Sequence, residues 1–91
     1  MLAPTVTRRL IDSFAERGPA RREAARRRLG PLTAREREIV RGVARGLANA
    51  QIARRLTMSE ATVKAHVSRA MAKVGVTNRV QLAILVHDAD G

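Results

Sequence analysis

The apolar positions of this chain recur at three- and four-residue spacing, and no stretch shows the alternation of a half-buried strand. Val6, Leu10, Ile11 and Phe14 form one stripe of a short helix after Pro4, with the Gly18-Pro19 pair as its break. Thr33 and Glu36 have the spacing of a capping box, in which each side chain satisfies the other residue's backbone donor. The helix they open buries Ile39, Val40 and Val43, and Gly46 suits a left-handed stop. Asn49 reads as the cap of a short helix containing Ile52, Ala53 and Leu56. Thr57 and Met58 turn the chain, and Ser59 caps a longer helix. The apolar stripe of that helix is Val63, Val67, Ala70, Met71 and Val74, and Gly75 ends it. Asn78 with Gln81 opens a last helix to about His87, leaving Asp88 and Asp90 in a frayed tail. The expected fold class is all-α. A four-helix bundle occupies residues 32–91, preceded in 1–31 by the short helix and a basic linker.

The last helix is apolar on more than one side. Leu82, Ala83 and Val86 form one stripe, assigned to the core; Val80, Ile84 and His87 form another, assigned to an interface with a partner. A single wide buried face is the alternative. The helix over about 60–74 is unusual in the opposite way. Its outer face carries Ala61, Ala65, Ser68, Arg69 and Ala72 in place of the mixed charges of a solvated surface.

Charge changes the meaning of that face. Eighteen Lys and Arg stand against eight Asp and Glu, a net +10, which biases the partner toward a polyanion. Between Ala61 and His87 there is no carboxylate at all. Phe14 is the only aromatic residue, whereas single strands are usually held by stacking bases on several rings, so a duplex is the better fit. A short helix, a tight turn and a longer helix laid on a preceding one is the helix-turn-helix plan. A helix filling a groove about 12 Å wide must keep its outer face low. Ala61, Ala65 and Ala72 do so, while Lys64, Ser68 and Arg69 can donate to base edges or phosphates. Alanine is also the best helix former, so that face has a bland reading as well. The run ARREAARRRLGP reads as a solvated, mobile basic linker, with a binding arm as the alternative; either adds attraction to phosphates.

Catalysis has little to stand on. There is no cysteine and no Gly-rich phosphate loop, and His66 and His87 fall on different helices, so no catalytic residue, metal site or cofactor is expected. No apolar run approaches the roughly 18 residues of a membrane span, and the start lacks a secretory core, so a soluble cytoplasmic protein is expected.

Four signatures then coincide: LTxRE (Leu32 to Glu36), GLxNxxIA (Gly46 to Ala53), S-x-x-TVKxHV (Ser59 to Val67) and K-x-GVxxR (Lys73 to Arg79). Together they closely resemble the LuxR/NarL-type (GerE-like) helix-turn-helix domain of bacterial two-component response regulators, over about residues 32–87 without gaps. The resemblance implies sequence-specific double-stranded DNA binding for transcription regulation. It implies base contacts from Lys64, Ala65 and Ser68, and phosphate contacts from Thr62, Arg69, Lys73 and Asn49. Similar domains dimerise through the last helix, which implies a homodimer. The segment LAPTVTRRLI with the arginine-rich spacer resembles what joins this domain to a receiver domain, so the chain looks like the output half of a response regulator. RNA polymerase is a further partner that the sequence leaves open, and a protein-interaction module or a promoter-reading region of a sigma factor are the rival readings. Gly42 stands where the family usually has a large aliphatic residue, Ala70 replaces a bulkier one and Gln51 a usual glutamate; the first two place stability in question rather than binding.

Overall fold

The computed structural model describes residues 18–90, all of them in helices or the short turns between helices. Helix α1 covers 18–29, followed by α2 (Ala34–Ala44), α3 (Asn49–Leu56), α4 (Glu60–Val74) and α5 (Arg79–Asp90). The expected helix at Val6–Phe14 lies outside the described residues.

Local signals set most helix ends. Glu36 N–H donates to Thr33 Oγ1 (3.2 Å) and Thr33 N–H to Glu36 Oε1 (2.8 Å), which completes the capping box of α2. At the other end Gly46, at φ 79°, lets its own N–H reach Val43 O while Leu47 N–H reaches Gly42 O, the paired bonds of a Schellman stop. Gly75 (φ 75°) ends α4 in the same left-handed conformation. Asn78 Oδ1 accepts Gln81 N–H (2.8 Å) at the start of α5.

One core fills the space between these helices. α2 packs on both α4 and α5, and α3 packs on α4. Ile39, Val40, Ile52, Val63 and Leu82 are its largest fully buried side chains. Gly42 belongs to this arrangement. A Cβ there would lie 2.9 Å from Ile52 Cγ1, so the missing side chain lets α3 approach α2. The volume that a large aliphatic residue would fill at position 42 is supplied instead by Ile52. Restoring bulk with Gly42→Leu should destabilise the fold by about 1–3 kcal/mol through overpacking, despite better helix propensity, as read by thermal unfolding.

The arginine-rich segment is not a solvated linker. Residues 18–29 are helical, and Ala25 is buried in the core with Leu29 packed against it. Its guanidinium groups hold the C-terminal ends of two other helices. Arg28 donates to Val74 O (2.8 and 3.2 Å) and Gly75 O (3.3 Å), Arg26 to Ala89 O (3.1 Å), and Arg21 pairs with Asp88 (3.0 Å). The last carbonyls of a helix lack intrahelical partners and carry partial negative charge, so cations are stabilised there. These contacts also correct the expected frayed tail, because α5 continues through Asp90 and buries Ala89. Arg28→Ala should cost about 1–2 kcal/mol in urea unfolding, with the loss concentrated at the α1–α4 contact.

Candidate nucleic-acid interface

The outer face of α4 is set by the turn before it. Thr57 takes the left-handed conformation (φ 55°), unusual for a β-branched residue, and Met58 N–H closes the turn on Ala53 O (3.0 Å). Ser59 Oγ accepts Thr62 N–H (3.1 Å) and bonds Thr62 Oγ1 (2.7 Å), so Thr62 hangs at the mouth of the helix. Val63, Val67, Ala70 and Val74 point into the core. That orientation leaves Ala61, Thr62, Lys64, Ala65, Ser68, Arg69 and Ala72 exposed on the opposite side. The side chains of Lys64, Ser68 and Arg69 make no hydrogen bond or ion pair with any described residue. Their donors are uncommitted. His66, next to Ala65, is half-buried, with its Nδ1 enclosed and unpartnered among the described residues.

Two phosphate candidates carry structural duties. Asn49 is not the cap of α3, because that position belongs to Ala48, whose N–H is satisfied by Gln51 Oε1 (2.8 Å). Asn49 stands one residue inside the helix, where its Oδ1 accepts from Arg79 Nη1 (2.6 Å) while Arg79 Nη2 donates to Leu47 O (2.6 Å). Its amide N–H groups make no hydrogen bond with any described residue. Lys73 Nζ lies 2.6 Å from Glu36 Oε1, on a carboxylate that is only 3% exposed. The Lys73 hydrogen bond, helped by that from Thr33 N–H, lowers the Glu36 pKa from 4.5 to about 2. Lys73 is thereby paired within the fold while its side chain stays 38% exposed, and Arg69 has no partner among the described residues.

On α5 the two stripes separate. Leu82, Leu85, Val86 and Ala89 are buried and Ala83 is half-buried, whereas Val80 (67% exposed) and Ile84 (49%) are the large apolar side chains left outside. Leu85 and Ala89 were missed as core positions, although they continue the spacing of Leu82. His87 is exposed, and its Nε2 donates to Ala44 O (3.0 Å). Among the described residues no cluster of His, Cys, Asp and Glu could hold a metal ion, and no helix is long and apolar enough to cross a membrane.

A short helix, a left-handed turn and a longer helix with a low, cationic outer face define a helix-turn-helix DNA-binding domain. The comparisons agree. The family model of "bacterial regulatory proteins, luxR family" matches residues 30–86, and this chain belongs to that family. The nitrate/nitrite response regulator NarL of Escherichia coli is 44% identical over 68 residues, covering 75% of this chain and 32% of NarL. The transcriptional regulatory protein UhpA of Escherichia coli is 43% identical over 61 residues, covering 67% of this chain and 31% of UhpA. A Mycobacterium tuberculosis relative is 44% identical over 70 residues, and there the match is 77% of this chain but 8% of the relative. The chain thus spans a third or less of the relatives it matches, and it is a DNA-binding domain of the kind used in transcription regulation.

Proposed function

We propose that this domain reads a double-stranded operator by laying α4 in the major groove, as the output half of a response regulator. The observation that carries the reading is the outer face of α4, where small residues flank cations with no partner among the described residues. Lys64 is the reader of guanine, whose O6 and N7 accept from a cation. Ala65 offers an apolar contact such as a thymine methyl, and Ser68 reaches a base edge one turn on. Thr62, Arg69 and the amide of Asn49 address phosphates, which fix the register of the helix. Lys73 serves this face indirectly, by pinning α4 to α2 through Glu36.

Operators read by two such domains need two copies, and Val80, Ile84 and His87 form the surface on α5 through which we expect them to pair. A phosphorylatable receiver domain, a cytoplasmic setting and an absence of catalysis complete the reading, supported by the resemblance to NarL and UhpA.

Selection from a randomised duplex library at near-physiological salt tests it. A pair of short half-sites at fixed spacing is expected, and uniform retention that vanishes in modest extra salt would remove the case for base reading. On the selected site Lys64→Ala should cost about 1–3 kcal/mol and relax one base position. Arg69→Ala should instead weaken every duplex and flatten the salt dependence of binding.

A further inference from the structure

The side of the domain facing away from α4 carries charge that the DNA face does not use. The inner residues of α2, Ile39, Val40 and Val43, are buried, and α2 lies against α4 and α5, so its outer side points away from the groove-facing surface. Arg37, Arg41 and Arg45 follow one another there at four-residue spacing. Such like-charged neighbours on a helix are mildly destabilising when nothing opposes them. Glu38 is taken by Arg35 (3.1 Å), and Arg41 and Arg45 make no ion pair or side-chain hydrogen bond with any described residue.

Two clefts flank Arg41. One, of about 210 Å³, lies between α2 and α3, floored by half-buried Leu47 and Leu56 over the core residue Ile52 and rimmed by Arg41, Arg45 and Arg55, with the Glu38 carboxylate, held by Arg35, at its edge. The other, of about 320 Å³, lies between α2, α1 and α5, floored by Leu29, Leu32 and Val86 and rimmed by Arg41 and by Arg26 and Arg37, which also donate to backbone carbonyls, with the Asp90 carboxylate at its edge. A bare phosphate backbone would answer the rims and leave the half-buried Leu29, Leu47 and Leu56 without a cover. An acidic protein segment with bulky apolar anchors answers both, because arginines pair carboxylates while the floors take the anchors.

We infer that the α2 ridge is a docking surface for an acidic, amphipathic segment of a partner protein, used while α4 holds DNA. A second copy of this chain is a poor occupant, since its charge is +10. The proposal does not depend on which bases α4 reads.

The test uses the whole chain bound to saturating duplex and a labelled glutamate-rich helical peptide with leucine anchors, followed by fluorescence anisotropy. The control peptide has serine for each leucine. The expected result is a ternary complex, weakened roughly tenfold or more by combined Arg41→Ala and Arg45→Ala. Duplex affinity should be unchanged in that variant, and Arg27→Ala, a neutral comparison on the exposed side of α1, should leave the peptide bound as before. Equal binding of the two peptides would overturn the proposal, since charge alone would then suffice. So would displacement of the peptide by duplex, or a matching loss of duplex affinity in the double variant, either of which would make the ridge part of the DNA surface. Circular dichroism of the double variant separates a lost contact from a lost fold.

Discussion

Glu36→Ala should unfold this domain roughly 10–20 °C below the parent, from a cost of about 2–4 kcal/mol. One carboxylate caps α2 through Thr33 N–H and holds Lys73 of α4, so its removal frees a helix start and the α2–α4 tie together. Glu36→Gln separates the two roles, because the amide oxygen can still accept from Thr33 while the ionic partner of Lys73 is gone. The parent should also show an acid-labile step. Its folded carboxyl is held down to about 2 from the ordinary 4.5, chiefly by Lys73, so the unfolded chain takes up a proton first as pH falls. The contribution is complete above about pH 5 and drains away toward about pH 2. Unfolding free energy measured against pH should fall across that window in the parent and stay flatter in Glu36→Gln. An equal slope in both would place the acid sensitivity elsewhere.

Ala65→Glu should abolish duplex binding at concentrations where the parent is saturated, with a loss of about 3 kcal/mol, roughly a hundredfold. Ala65 is exposed in the middle of the α4 face, and glutamate is nearly as good a helix former, so the fold has no reason to change. A carboxylate there faces the phosphates lining the groove and removes the low profile that lets the helix enter. Affinity for random and selected duplexes, with thermal unfolding as a control, decides it. Retained affinity would mean that α4 is not the helix in the groove.

The helices were legible because their ends are local. Thr33 with Glu36, Gly46, Ser59, Gly75 and Asn78 each act within a few residues of themselves, and the structure uses all of them as expected. Asn49 was off by one position: the cap is Ala48, which has no side-chain oxygen to offer, and Gln51 reaches back to its N–H. The remaining differences involve partners far along the chain. Arg21 and Arg28 find theirs 67 and 46 residues away, on carbonyls and a carboxylate whose position exists only after α4 and α5 have packed. Gly42 is a steric agreement between two helices, and no periodicity announces it. The ion pair of Lys73, a phosphate contact by resemblance, joins it to Glu36 37 residues away, and no local spacing announces that tie.

The arginines of α1 also separate two meanings of the word domain. The family model begins at residue 30, just after α1 ends. A fragment excised at that boundary would keep every family signature and lose Ala25, Leu29 and the guanidinium groups seated on the ends of α4 and α5. The inherited unit is therefore shorter than the packed one, and the C-terminal end of α4 is held in part from outside the motif that names it.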